Sequence, residues 1–222
     1  MLPRAEIMEL NGAWQESIVE ARRAKLSLAH AMGHEAAAGA AYQEAEIHRL
    51  RGEFAAAEDL YRAASRLGLE PQPGMALLRL IQGKAEQAAA TIRRVLATTG
   101  SPLRRARLLP ALVEIMMTAG AVDEAREACE ELEAIAGRFT TEVLAAMASQ
   151  ARGQIEMAGG DAAAALGHFR AALTIWQRAG APYLEARLRM LSGQACRMLG
   201  DEDGAELEFE AARSVFTALG AA

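Results

Sequence analysis

The feature that most restricts this chain is a recurring glycine. Gly12, Gly52, Gly83, Gly120, Gly160 and Gly200 each close one stretch of apolar periodicity and open the next. Three of the five intervals are 40 residues, and the others are 31 and 37. Residue types keep step with these glycines. Five residues after them stand Ser17, Ala57, Ala88, Ala125, Ala165 and Ala205; nine after, Ala21, Tyr61, Ile92, Cys129, Phe169 and Phe209; twelve after, Ala24, Ala64, Val95, Leu132, Ala172 and Ala212. Seven before the later five stand Ala45, Ala76, Val113, Gly153 and Gly193. Offsets of 5, 9 and 12 fall on one face of a helix. Glycine tolerates the left-handed backbone that ends a helix and turns the chain back. Glu53, Asp161 and Asp201 then follow where an acidic residue suits a helix N-terminus. Regular return at this period signals stacked supersecondary units.

The pattern predicts an all-α array of about six helix pairs in one domain over 1–222, with pairs near 1–34, 35–70, 71–100, 101–138, 139–180 and 181–222. Second helices are expected to start near Ala13, Glu53, Lys84, Ala121, Asp161 and Asp201. First helices should cover about 35–51, 74–82, 102–119, 140–159 and 182–199, with only Pro3 to Leu10 before the first turn. Composition agrees. Hydrophobic residues make up 52% of the chain but aromatics only 5%, so the apolar content is mostly alanine and leucine, strong helix formers. Small residues five after each glycine let paired helices approach, and larger ones at nine fill the space between neighbours. Ser101-Pro102 reads as a capped helix start. Pro110 falls inside that helix and should kink it. Pro71 and Pro73 mark a connector before a short helix, where the array should be least regular.

The net charge of −5 removes the overall phosphate attraction that drives nucleic-acid binding, so no direct nucleic-acid contact is expected. Arginines cluster at Arg22 and Arg23, at Arg93 and Arg94, and at Arg104, Arg105 and Arg107, and read as solvated helix faces. Cys129 and Cys196 sit in apolar helical patterns and read as small core residues of a reducing compartment. The N-terminus lacks a signal segment and no apolar run approaches the ~18 residues of a membrane span, so the expected location is cytoplasmic, with no membrane partner. Phe209, Val215, Phe216 and Leu219 lie on a last helix with no following repeat to cover it. Helix arrays normally close with a polar cap. Either the chain continues in a larger protein, of which this is an excised segment, or it self-associates through that helix. The truncated first pair gives the same expectation at the other end.

The stretch Ala45, Gly52, Phe54, Ala57, Tyr61, Ala64 resembles the tetratricopeptide repeat. The copies spaced by 40 residues exceed its usual ~34, so their helices should run an extra turn. The runs AEIHRLRGEFAAAEDLYRAASRLGLEPQPGMALLRLIQGKAEQAAATIRRVL (45–96), SPLRRARLLPALVEI (101–115) and GDEDGAELEFEAARSVFTALGA (200–221) resemble the tetratricopeptide region of LuxR-type transcriptional regulators. That resemblance implies a right-handed superhelical solenoid. It also implies an array that senses an inducer or partner and relays the signal to a DNA-binding end. The chain has no G-x-x-x-x-G-K-[ST] phosphate loop and no segment for a helix-turn-helix, so ATP hydrolysis and DNA contact are not carried here. A stand-alone adaptor that binds a partner peptide or helix is the alternative, and a self-assembling scaffold a further one.

Catalytic and metal-binding patterns are not found. His30 and His34 are four apart but flank Gly33 near a helix end, and His48 and His168 are isolated. The acidic runs 127–133 and 201–210 lack a calcium-loop frame. No nucleophile context is present, so neither enzyme activity nor a cofactor or metal is expected. Met116, Met117, Met147, Met157, Met190 and Met198 all fall on first helices. In tetratricopeptide arrays those helices line the concave groove. Aligning the copies points Tyr42, Glu46, Arg49, Glu114, Met117, Gln150, Gln154, Met157, Arg187, Met190, Gln194 and Arg197 there. An adaptable methionine surface flanked by arginine and glutamine suits a protein, a peptide or a small-molecule effector. Core filling between helices is the competing reading for any one of these methionines.

Overall fold

The computed structural model describes residues 2–28 and 33–221, with side chains described for 4–23 and 34–221. His30 and the side chain of Ala24 lie outside the described residues. The chain forms twelve helices, with no strand among the described residues: α1 (Leu2–Leu10), α2 (Trp14–Leu28), α3 (Gly33–Leu50), α4 (Phe54–Arg66), α5 (Gly74–Ile81), α6 (Ala85–Thr98), α7 (Pro102–Thr118), α8 (Val122–Phe139), α9 (Glu142–Ala158), α10 (Ala162–Ala179), α11 (Pro182–Met198) and α12 (Glu202–Leu219). Taken in succession they make six helix pairs. Helices α7 to α12 have 17 or 18 residues against 13 and 14 in α4 and α6, which is the extra turn.

All six repeating glycines adopt positive φ, between 74° and 88°. The following N–H then returns to a carbonyl five residues back, as in Ala13 to Met8 (2.8 Å), Lys84 to Arg79 (2.9 Å) and Asp201 to Cys196 (3.0 Å). The bond is main-chain only, so alanine, lysine and aspartate serve equally. Asp161 and Asp201 accept from the N–H groups of Ala164 and Gly204, each at 2.9 Å, and so cap α10 and α12. Two expected starts differ. Ser101 has the extended backbone of a cap but makes no side-chain cap bond, and the Glu53 carboxylate turns to His48 instead. Helix α7 continues through Pro110 as one helix.

The core follows the glycine frame. All six residues at offset five are fully buried. Offsets of seven before and nine after face each other, and their sizes compensate. Gly153 faces Phe169, and Gly193 faces Phe209. In two other copies a residue smaller than phenylalanine stands opposite one larger than glycine, Ile92 with Ala76 and Cys129 with Val113, while Tyr61 pairs with Ala45; all six are fully buried. A Cβ on Gly153 or Gly193 would lie 2.4 or 2.6 Å from the opposing ring. Interiors packed to crystal-like density transmit such mismatches directly.

Each helix packs on the one before and the one after it, and the first helices also touch one another in succession. The first helices therefore form an inner wall and the second helices an outer layer. The two ends of the array meet. Trp14 of α2 and Tyr183 of α11 have ring centroids 5.9 Å apart, and Tyr183 and Phe216 of α12 are 5.6 Å apart. Leu219 and Ala221 pack against the cluster of Trp14, Ile18, Ile47 and Leu50. The face of α12 that has no following repeat is thus partly covered by the first pair at Leu219. Leu207 on that helix stays 74% exposed.

Candidate functional site

The inner wall is built from positions three, six, ten and thirteen residues before the repeating glycines. Helical spacing puts these positions on one stripe of each first helix. All twelve side chains expected on the concave face stand on first helices. Nine of them line one of two places, Gln154 lining both, while Arg49, Glu114 and Met190 line neither.

The first place is a half-open chamber of about 380 Å³ on the inner wall, lined by residues of α1, α3, α7, α9, α10 and α11. Tyr42, Glu46, Gln150, Gln154 and Arg187 line it. Glu6, Glu9, Gln43, Arg107 and Trp176 line it too, and sequence reasoning missed them. Glu6, Glu9 and Arg107 occupy the same glycine offsets as the residues that were found, so extending the alignment to α1 and α7 reaches them. Gln43 and Trp176 occupy none of those offsets.

A polar network ties the chamber to its walls. The Gln43 amide donates to the Glu9 carboxyl. Glu46 accepts from Arg49 at 2.6 Å and from the Tyr61 hydroxyl. Arg49 also donates to Tyr61 at 3.3 Å, and the Gly74 N–H donates to the Tyr42 hydroxyl at 3.3 Å. Across the wall, Arg187 bonds Glu114 at 2.8 Å, joining α11 to α7 past α9. Burial, with the neighbouring Glu46 carboxylate, pushes Glu9 up to about 8. Burial likewise raises Tyr42 and Tyr61 well above the usual phenol range. Beside the chamber, a cavity of about 560 Å³ shares Glu6, Tyr42, Gln43, Pro73 and Arg107 with it and opens along the connector before α5.

The second place is an open pocket of about 400 Å³ at the C-terminal ends of α7, α9 and α11. Met117, Gln154, Met157, Gln194 and Arg197 meet there, together with Ala158 and Met198. Its make-up repeats: Met117, Met157 and Arg197 are 40 residues apart in turn, as are Gln154 and Gln194, and Ala158 and Met198. Arg197 is held by Glu202 at 3.5 Å and lies over the Phe209 ring at 4.9 Å. Met198 is 54% exposed. Two methionines fall elsewhere. Met116 is fully buried in the core, and Met190 is exposed but lines neither place.

Other expected features can be located. His34 is exposed, and among the described residues no group of three or more His, Cys, Asp or Glu side chains could hold a metal ion. Cys129 and Cys196 are buried, and burial pushes the Cys129 thiol up to about 11. Among the described residues no helix is long and apolar enough to cross a membrane. The clustered arginines are largely ion-paired between helices, as in Arg93 with Glu124 (2.5 Å) and Arg94 with Glu70 (3.1 Å).

No protein-family model matches the chain, and no curated protein does. Among solved structures it is similar to BtubC (BKLC) from P. vanneervenii. The two superpose with a TM-score of 0.55 at 22% sequence identity, over 96% of this chain and 92% of the other. At that identity the likeness speaks to fold alone: an all-helical, repeat-like architecture.

Proposed function

We propose that this chain is a tetratricopeptide-like solenoid of right-handed superhelical twist that works by binding, not catalysis, in the cytoplasm. Its role is that of the sensing and interaction module of a LuxR-type transcriptional regulator, recognising a protein, peptide or small-molecule effector on its inner wall. The sequence runs at 45–96, 101–115 and 200–221 support the regulator reading. One observation carries the binding reading: equivalent positions of three successive first helices converge on one open pocket at Met117, Met157 and Arg197. Flexible thioethers beside amide and guanidinium donors suit an apolar group with a polar edge.

The test is a thermal-shift screen of peptides and small effectors against the full chain, repeated on Met157→Lys. A ligand whose shift disappears in the variant, with the unliganded melting point unchanged, supports this pocket. Ligands that bind both proteins equally would remove it. The 54% exposure of Met198 favours a second reading of the same pocket, an adaptor that grips a partner helix or peptide. Hits confined to peptides would select that reading.

A further inference from the structure

We propose that the array is a two-body clamp. The first two pairs, α1 to α4, swing as one unit against α6 to α12, with the short α5 as the pivot, and this motion opens the seam where the two ends meet. The proposal does not depend on what the rim pocket binds, because that pocket belongs wholly to the second unit.

The division lies in the core. Among the described residues, the buried apolar clusters of α1 to α4 are separate from those of α6 to α12. Helix α5 is split between them. Leu78 clusters with Ala45, Ala57 and Tyr61, while Ala76 clusters with residues of α6 to α9. The packing of α4 on α5 is also the slightest between any two consecutive helices. Two causes are visible. Helix α5 has 8 residues, while its neighbours in the inner wall, α3 and α7, have 18 and 17. At the helical rise the wall is about 14 Å shorter there. The connector 67–73 is seven residues long, against two or three between α6 and α7, α8 and α9, and α10 and α11. Polar bonds hold the joint. Glu58 of α4 accepts from Arg79 at 3.0 and 3.1 Å and from Gln82 at 3.1 Å, and the Gly74 N–H donates to the Tyr42 hydroxyl at 3.3 Å. A few loop residues at a thin joint absorb a hinge rotation, whereas a close-packed core resists one.

The seam is the other weak joint. Among the described residues neither α1 nor α2 packs along α11 or α12, and side chains cross instead. Tyr183, Leu219 and Ala221, none of them fully buried, reach the Trp14 cluster, and Leu10 reaches the cluster of α9 to α12. The ion pair of Arg107 with Glu6, at 3.8 Å, is exposed on both sides, and such pairs contribute little. Both inner cavities lie between the two units. The chamber takes Glu9 and Tyr42 from one and Met147 and Leu184 from the other, and the adjoining cavity takes Gly39 from one and Leu108 from the other. Ligand sites favour such junctions, and a ligand touching both walls would favour the closed form.

The experiment is pulsed electron resonance on the full chain with three pairs of spin labels at exposed positions. Glu16 with Thr217 spans the seam, Glu16 with Asp59 lies inside the first unit, and Gln87 with Thr217 lies inside the second. Each pair is measured in the otherwise unchanged chain and with Tyr183→Ala, which removes the ring between Trp14 and Phe216. The clamp predicts that Tyr183→Ala adds a population across the seam at least about 10 Å longer, one helix diameter. The two internal pairs should keep their distances. Phe216→Ala should open the seam in the same way, and replaces Tyr183→Ala if that variant loses its helical circular dichroism. A seam distance that stays short in both variants overturns the proposal. A longer distance from Glu16 to Asp59 overturns it too, since the first pair would then peel away alone. So does a longer distance from Gln87 to Thr217, since the whole array would then loosen rather than hinge.

Discussion

Replacing Gly153 with alanine sets two opposing effects against each other, and the structure decides the sign. The new Cβ would stand 2.4 Å from Cε1 and 2.7 Å from Cδ1 of Phe169. Ordinary carbon contacts lie at about 3.5–4.0 Å, so the overlap is about 1 Å. Phe169 is fully buried and cannot swing into solvent, so α9 and α10 must part along their contact. Overpacking of this kind costs about 1–3 kcal/mol, while alanine's better helix propensity returns about 1 kcal/mol. Gly167 supplies the control. It lies within α10 with nothing within 4 Å of its would-be Cβ, so only the propensity gain applies. Gly167→Ala should therefore stabilise by about 0.5–1 kcal/mol, and Gly153→Ala should destabilise by up to about 2 kcal/mol. The assay is urea unfolding followed by helical circular dichroism, comparing midpoints at matched slope. Phe169→Ile in the Gly153→Ala background should recover part of the loss, because the third pair already matches a buried Ala76 with Ile92. If Gly153→Ala raises the midpoint as much as Gly167→Ala does, the size-compensation argument fails.

Asp161→Ala and Asp201→Ala should each cost about 1 kcal/mol by removing a helix cap, whereas Ser101→Ala, which breaks no such bond, should stay within about 0.5 kcal/mol; chemical denaturation of the three variants checks this. Glu9 should make stability fall with rising pH. Its proton is held to about 8 in the fold against an ordinary 4.5, so its contribution is full below about 4.5 and is lost as pH rises through about 8. Melting points across that window should be flatter for Glu9→Gln, and higher than wild type at pH 8. Trp14, only 2% exposed where the ends meet, should cost about 3–5 kcal/mol as Trp14→Ala, and small-angle scattering should show the particle expanding.

The helices and their turns were legible in the sequence because each rests on a local cause. A glycine at positive φ and a small residue five positions on fix each pair without help from distant residues. The inner wall was legible for the same reason, since Tyr42, Glu46, Gln154 and Arg187 share glycine offsets. Where those residues converge was not legible. The split into a chamber and a rim pocket depends on curvature, which sums small rotations over six pairs. The meeting of Trp14 with Tyr183 joins residues 169 positions apart, and no periodicity reports it. Glu9 is hard to read from the sequence because α1, at 9 residues, is too short to show the repeat pattern before its glycine. Trp176 was missed because it belongs to a second helix and enters the chamber wall from the outer layer. Ser101 keeps the extended backbone of a cap without the side-chain bond.

The account turns on the two ends of the array meeting around an inner chamber. Spin labels on cysteines introduced at the exposed positions Glu16 of α2 and Thr217 of α12 report this directly by pulsed electron resonance. Closure predicts one narrow distance distribution below about 30 Å, since helices in contact lie about 10 Å apart and the label arms add the rest. A broad distribution near or beyond about 50 Å, the span of five inter-pair steps laid out openly, would contradict it.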